Sequence, residues 1–203
     1  ISTITRMVTI RRKRMEMAHV EICVNDNEIA NLSLEVKHTD DANWHPEANM
    51  DEFTEFCLKA HNAYRAKHHA PALVMNDELS KIAQNWANHL AENGKSDHSY
   101  NKYNKSQLGE NIAACTYGTE VPIAKKAQHV CDHFYSEIKD YEFKPTCDFR
   151  VTGHFTQLVW KGSNELGIGR AIDADNREIT VCNYYPAGNR RNHYEENVSR
   201  ADD

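Results

Sequence analysis

The chain has 203 residues, of which 40% are hydrophobic and 27% are charged. This length and composition suit one globular domain with an extension, because a single hydrophobic core usually serves about 100–200 residues. The net charge of −6 argues against general nucleic-acid binding, which needs a concentrated positive surface, and the sequence has no apolar run long enough to predict a membrane span.

Residues 1–50 differ in pattern from the rest of the chain. Alternating apolar residues on both sides of the turn-forming Asn25-Asp26-Asn27 predict a β-hairpin. The polar stretch 37–49 then predicts a linker. We therefore divide the chain into an N-terminal extension over residues 1–50 and a main domain over residues 51–203.

Three helices are predicted at the start of the main domain. The first begins at Asp51 and ends before Pro71, because apolar residues recur at helical spacing between them. The second has Asn76 as a candidate N-cap and Gly94 as its stop. The third opens at Pro122, a residue that suits the first helical turn.

Two strand-like runs follow these helices, from Leu166 to Ile172 and from Glu178 to Tyr185. The intervening Asp173-Ala174-Asp175-Asn176 has the composition of a hairpin turn. Helices followed by a strand meander indicate α+β layering.

Several short segments of the main domain have a residue order that is specific rather than merely apolar or polar. They are His98-Ser99, Gly109-Glu110-Asn111-Ile112, Tyr135-Ser136-Glu137-Ile138, Gly153-His154-Phe155-Thr156-Gln157-Leu158-Val159-Trp160, and Cys182-Asn183-Tyr184-Tyr185-Pro186-Ala187-Gly188-Asn189. Together they resemble the motifs of the CAP superfamily of cysteine-rich secretory proteins, antigen 5 and pathogenesis-related 1 proteins. The chain is most similar to the Golgi-associated plant pathogenesis-related branch. Two departures from that placement are the absence of a Met-Gly myristoylation signal and the extension over residues 1–50.

The resemblance implies a fold of the α+β class, a three-layer α-β-α sandwich. Its central antiparallel sheet is expected to be covered by helices on both faces. The N-terminal extension lies outside the pattern of the family, and we expect the linker to attach it to the sandwich.

The resemblance also implies a cleft shared by four side chains: His98, Glu110, Glu137 and His154. Such a set has two uses. His98 and His154 can ligate Zn²⁺ or another divalent cation, with water and a carboxylate completing the shell. Alternatively, each glutamate orients a histidine through a ring N–H in a polar cluster that holds no metal. Candidate neighbours of the cleft are Ser99, Asn111 and Gln157.

We expect a non-catalytic binding protein that engages lipids or sterols, a membrane surface, a protein partner, or itself as a homodimer. One alternative is a secreted immune-interaction or signalling protein. Another is a weak metal-dependent or cysteine-dependent hydrolase, in which Cys115 near His98 would be the thiolate nucleophile.

The opening residues do not have the pattern of a signal peptide. The apolar Met7-Val8-Thr9-Ile10 is followed directly by the basic cluster Arg11-Arg12-Lys13-Arg14, so no hydrophobic region of sufficient length forms. We therefore favour an intracellular protein that is peripheral on membranes, with secretion as the alternative.

Two further patterns concern metal-ligating residue types. Cys57 and Cys131 fall on apolar helix faces, which favours buried thiols. His129, His133 and Glu137 are spaced at i, i+4 and i+8, which allows a metal-binding stripe. A solvated helix face explains the two histidines better, because charged residues surround them.

Overall fold

The structure is a computed structural model, and it describes residues 50–94, 97–143 and 149–201. The hairpin and linker predicted in the extension lie outside these residues, as do Cys23 and Cys147. The described helices are α1 Glu52–Lys67, α2 Asp77–Asn93, α3 Ile123–Tyr135, α4 Phe149–Leu158 and α5 Tyr194–Asn197, with a 3₁₀ turn at Ser136–Asp140. The described strands are β1 Val74–Met75, β2 Lys102–Tyr103, β3 Ser106–Gln107, β4 Gly109–Cys115, β5 Glu165–Ile172 and β6 Glu178–Tyr185.

The helix ends follow the capping residues of the sequence. Asp51 accepts hydrogen bonds from the first backbone N–H groups of α1, and Asn76 does the same for α2. Gly94 ends α2 in the left-handed conformation, with a φ of 64° that glycine adopts without steric cost. Pro122 directly precedes α3. All three predicted helices are therefore confirmed.

The main sheet has the strand order β1-β5-β6-β4. The pairs β5–β6 and β6–β4 are antiparallel, whereas the two-residue β1 pairs in parallel with β5 at one edge. The predicted antiparallel sheet is thus confirmed, and β1 adds a short parallel edge to it. The β5–β6 turn is held by Asp173, whose carboxylate accepts the backbone N–H groups of Asp175 and Arg177.

Separate hydrophobic cores lie on the two faces of this sheet. On one face, buried residues of α2 such as Ala83 and Leu90 pack against Ile179 and Val181 of β6. On the other face, helices α1, α3 and α4 pack against the sheet, where Tyr184 of β6 is fully buried. Alternate residues of β6 thus serve the two cores, as the two-residue period of a strand requires. The three-layer α-β-α sandwich is confirmed.

Two glycines of β5 let α2 approach the sheet closely. A Cβ atom built on Gly169 would lie 2.2 Å from the backbone nitrogen of Gln84 in α2. A Cβ atom on Gly167 would lie 2.2 Å from the carbonyl carbon of Leu79. Any larger residue at these positions must push the helix away from the strand.

A buried guanidinium joins α1 to the end of α4. Arg65 is 0% exposed, and its N–H groups donate to the carbonyls of Pro71, Leu158, Trp160 and Ser163 at 2.7–2.9 Å. Burial lowers the pKa of Arg65 to about 10, so the side chain keeps its positive charge at neutral pH. A cation at the carbonyl end of α4 also complements the helix dipole.

Candidate functional site

The first histidine–glutamate pair joins the segment after α2 to strand β4. His98 Nδ1 lies 2.8 Å from Oε1 of Glu110. Ser99 holds the same carboxylate with its backbone N–H at 2.9 Å and with its hydroxyl at 2.6 Å. The histidine side chain is 56% exposed, whereas the glutamate side chain is 6% exposed. Glu110 is thus a buried, fixed acceptor that orients an accessible imidazole.

This contact changes the acid–base behaviour of the imidazole. The hydrogen bond to Glu110 raises the pKa of His98 above its ordinary value of 6.5, against the smaller opposing effect of burial. His98 therefore stays protonated to a higher pH than a free histidine.

The second histidine–glutamate pair joins the 3₁₀ turn after α3 to helix α4. His154 Nδ1 lies 2.7 Å from Oε1 of Glu137. The other carboxylate oxygen accepts the backbone N–H groups of His154 at 2.8 Å and of Phe155 at 3.1 Å. The exposed fractions of the two side chains are 30% for the histidine and 22% for the glutamate. Both pairs are therefore reached by solvent.

Opposing effects act on the second carboxylate. Burial tends to raise the pKa of Glu137, but the hydrogen bonds from the ring and backbone of His154 and from the backbone of Phe155 together outweigh it. The net result is a lowered pKa. Glu137 is thus a stable carboxylate at neutral pH.

A third imidazole lies beside the second pair. The rings of His133 and His154 have centroids 6.2 Å apart, and Phe134 packs on His154 at 5.1 Å. Burial lowers the pKa of His133, and the neighbouring His154 adds to this effect. His129 instead contacts the hydroxyl of Tyr117 at 3.2 Å. The two histidines of the α3 stripe therefore have different neighbours.

The other two predicted neighbours of the cleft, Asn111 and Gln157, have buried side chains. Asn111 is 1% exposed, and its amide donates to the backbone carbonyl of His154 at 3.0 Å and to the hydroxyl of Tyr184 at 3.2 Å. Gln157 is also 1% exposed, donating to the Ser163 hydroxyl and accepting the N–H of Gly188. Asn111 thus ties strand β4 to the backbone of His154.

Both histidines use the same ring nitrogen for their carboxylate. His98 and His154 each contact glutamate through Nδ1, and neither Nε2 atom has a hydrogen-bond partner among the described residues. A carboxylate on one ring nitrogen and an accessible second nitrogen is the arrangement of a metal-ligating histidine. Within the described part of the chain, no three of the four tetrad side chains bring ligand atoms within 4.8 Å of one another. An ion held here would therefore need water to complete its shell.

One cluster of metal-ligating side chains escaped the sequence interpretation. Cys57, His61 and Cys131 place ligand atoms within 4.8 Å of one another, and all three are buried. The prediction that Cys57 and Cys131 are buried is confirmed. The i, i+4 spacing of Cys57 and His61 puts both on one face of α1, but no sequence pattern links either residue to Cys131.

A groove lies between α1 and strand β1. Its volume is 580 Å³, and its lining is Met50, Glu55, Leu58, Lys59, Asn62, Leu73, Val74 and Met75. Val74 is 60% exposed within it. The volume falls in the range of small-molecule sites, which is about 300–1,000 Å³. None of the tetrad residues lines this groove.

Comparison with known proteins assigns the family. The family model of CAP, the cysteine-rich secretory protein family, matches residues 58–184. The chain belongs to the CAP family. Among CAP relatives, it is 38% identical over 149 residues to Golgi-associated plant pathogenesis-related protein 1 of Homo sapiens, and the aligned region covers 72% of this chain and 92% of that relative. It is 38% identical over 125 residues to venom allergen 5.02 of Dolichovespula maculata, and the aligned region covers 58% of this chain and 55% of the allergen.

A solved CAP structure agrees with the fold. The crystal structure of NaASP2 with Zn²⁺ superposes with a TM-score of 0.56 at 23% identity, covering 78% of this chain and 90% of that one. At this identity the likeness supports the sandwich architecture alone. Within residues 50–94, 97–143 and 149–201, no helix has the length and apolar character needed to cross a membrane.

Proposed function

We propose that this chain is a non-catalytic CAP binding protein in which His98 and His154 hold a divalent cation, with Zn²⁺ as the first candidate. The observation that carries the proposal is the orientation of both rings by glutamates through Nδ1, which leaves both Nε2 atoms available. Neutral imidazole nitrogen is a common zinc ligand, and the buried carboxylate of Glu110 would strengthen the basicity of its histidine.

The site has an open coordination shell in this proposal. Two imidazole ligands leave positions for water or for an anionic group of a bound molecule. A CAP protein of this kind would recruit a ligand through the ion rather than transform it. Ser99 supports this assignment, because its hydroxyl and its backbone N–H both hold Glu110, which gives the serine a positioning role.

Metal binding is tested by calorimetric titration of Zn²⁺ into the purified chain. We expect saturable binding that weakens at least about tenfold in His98→Ala and in His154→Ala, because each removes one of two protein ligands. His129→Ala is the matched control, since that exposed histidine contacts Tyr117 and no glutamate of the tetrad. Zinc affinity that is unchanged in both tetrad variants would remove this proposal.

We further propose that the chain binds a lipid or sterol, or a membrane surface that presents one, at a place separate from the ion, because no tetrad residue lines the groove. The support is the groove between α1 and β1, which offers the apolar side chains of Leu58, Leu73 and Met75 next to the charged Lys59. An apolar wall with a few polar groups at its border is typical of sites for amphipathic ligands.

Vesicle co-sedimentation and sterol titration test this part separately from the metal site. Val74→Asp places a charge in the groove, and Ile172→Asp places the same charge on an equally exposed strand residue, 61% against 60%. We expect the first variant to lose binding and the second to keep it. Equal binding by both variants would show that the groove does not hold the lipid.

The proposal also covers the location of the protein in the cell and its oligomeric state. We propose a peripheral position on an intracellular membrane, supported by the name of the Golgi-associated relative, and self-association as a homodimer. Cell fractionation tests the first point, and recovery of the protein from the medium would favour the secreted alternative. Sedimentation velocity over a range of concentrations tests the second point.

A further inference from the structure

A cluster of sulfur and nitrogen ligands lies inside the core between α1, α3 and β6. Cys57 and His61 come from α1, Cys131 from α3 and Cys182 from β6, and each is 0% exposed. The Cys57 and Cys131 sulfurs are 3.6 Å apart. His61 Nδ1 lies 3.7 Å from the Cys57 sulfur and 3.2 Å from the Cys131 sulfur. None of these residues belongs to the two histidine–glutamate pairs.

These separations fit the edges of a tetrahedral zinc site. Zn–S bonds of about 2.3 Å and Zn–N bonds of about 2.0–2.1 Å give S···S edges of about 3.8 Å and S···N edges of about 3.6 Å. The three observed edges depart from those values by no more than about 0.4 Å, which small side-chain rotations can supply. The three donors therefore already form one face of a tetrahedron.

Cys182 of strand β6 is our candidate for the fourth ligand. Its sulfur interacts with that of Cys57 but lies outside the group whose ligand atoms are within 4.8 Å of one another, so its side chain would have to turn towards the ion. A thiolate is the form of cysteine that binds metal, so an ion would displace the thiol protons of the cluster.

The hydrogen-bond partners of His61 suit the cluster both without an ion and with one. Nδ1 lies 2.8 Å from the carbonyl oxygen of Cys57, and Nε2 lies 2.8 Å from the hydroxyl of Tyr184. Without an ion, Nδ1–H can donate to that carbonyl. When an ion takes Nδ1, the ring proton sits on Nε2 and donates to the Tyr184 oxygen, which fixes the ring as an outer partner does in metal sites.

The charge balance also favours an ion. A zinc ion with three thiolates and one imidazole carries a net charge of −1. Arg65 follows His61 by one turn of α1 and is a buried cation whose donors all go to carbonyls, with no carboxylate partner among the described residues. Tyr184 lies within electrostatic reach of both Arg65 and the cysteines. An anionic cluster would compensate this otherwise unpaired buried charge.

We propose that Cys57, His61, Cys131 and Cys182 form a structural site for a thiophilic ion, Zn²⁺, inside the core of the sandwich. The ion replaces the thiol protons, which are released to solvent on binding. Because all four ligands are buried, the ion enters while the chain folds, and it joins α1, α3 and β6 on one face of the sheet.

Zinc K-edge X-ray absorption tests this site on the full chain, refolded under reducing conditions with Zn²⁺. We expect sulfur neighbours at about 2.3 Å, whereas zinc at the histidine–glutamate pairs would show only nitrogen and oxygen at about 2.0–2.1 Å. The sulfur signal should persist in the double variant His98→Ala, His154→Ala. This outcome separates the buried site from the proposed surface site, so either can fail alone.

Cysteine variants give a second measurement. Cys131→Ser should lose the sulfur signal and lower the zinc content by one ion per chain. Cys115→Ser is the matched control, because that free cysteine is only partly buried and lies outside the cluster. A reduced, folded wild-type chain that shows only nitrogen and oxygen around zinc would overturn the proposal. The wild-type spectrum decides this even if Cys131→Ser does not fold.

Discussion

The close approach of α2 to the sheet yields a stability prediction for Gly169→Ala. The new Cβ atom would lie 2.2 Å from the backbone nitrogen of Gln84 and 2.3 Å from the carbonyl carbon of Ala83. Both are helix backbone atoms, so no single side chain can rotate to relieve the overlap. Overpacking of this kind typically costs about 1–3 kcal/mol, and we expect a loss of about 2 kcal/mol for this variant.

Urea unfolding measures this loss against Gly118→Ala. A Cβ atom at Gly118 meets nothing within 4 Å, so alanine there should be neutral or stabilise the chain by up to about 1 kcal/mol through the unfolded state. For a domain of this size, a loss of about 2 kcal/mol lowers the thermal midpoint by roughly 4–8 °C. Free energies of unfolding for the two variants that lie within about 0.5 kcal/mol of each other would contradict this prediction.

Three further predictions concern an N-cap, the first histidine–glutamate pair and the buried guanidinium. Asn76→Ala removes the acceptor for the first N–H groups of α2 and should cost about 1 kcal/mol in urea unfolding. Glu110→Gln should lower the pKa of His98 towards 6.5 in an NMR titration. In the wild type, the raised pKa makes the stabilising contribution of His98 complete below pH 6.5 and lost as the pH rises through the folded-state pKa, so the variant should show less decline above pH 6.5. Arg65→Met leaves four carbonyls without their donor and should cost at least about 3 kcal/mol.

Each of these predictions has an outcome that contradicts it. An Asn76→Ala chain as stable as the wild type would mean that water replaces the cap without cost. An unchanged His98 titration in Glu110→Gln would show that the carboxylate does not set its pKa. If Arg65→Met kept wild-type stability, the hydrogen bonds to the four carbonyls would contribute nothing net to folding.

The sequence predicted those parts of the fold that local chemistry determines. Helix α2 could be bounded at both ends because Asn76 is a strong N-cap and Gly94 tolerates a positive φ. The β5–β6 hairpin was visible as two apolar runs around a turn. Strand β4 and helix α4 were not predicted as elements, although their motifs were recognised. Their short, mixed patterns gain order from packing between other elements rather than from a periodicity of their own.

The candidate sites also depend on contacts between elements that the local sequence does not determine. The carboxylate of each histidine pair came from family resemblance, and no local pattern links His98 to Glu110 or His154 to Glu137. The buried cysteine cluster could not be predicted because Cys57 and Cys131 are 74 positions apart. A helical pattern can show that each thiol faces the interior, but only the crossing of α1 and α3 determines that the two sulfurs meet.

The separation of the two cores has a consequence for sequence change. Ile179 and Val181 belong to the cluster that includes Ala83 and Leu90 of α2, whereas Tyr184 belongs to the cluster on the opposite face. The effects of substitutions in the two clusters should therefore add where the sites are more than about 7–10 Å apart. Substitutions can thus accumulate in the α2 layer without compensating substitutions in the layer that carries His154, provided that the whole molecule keeps enough stability to stay folded.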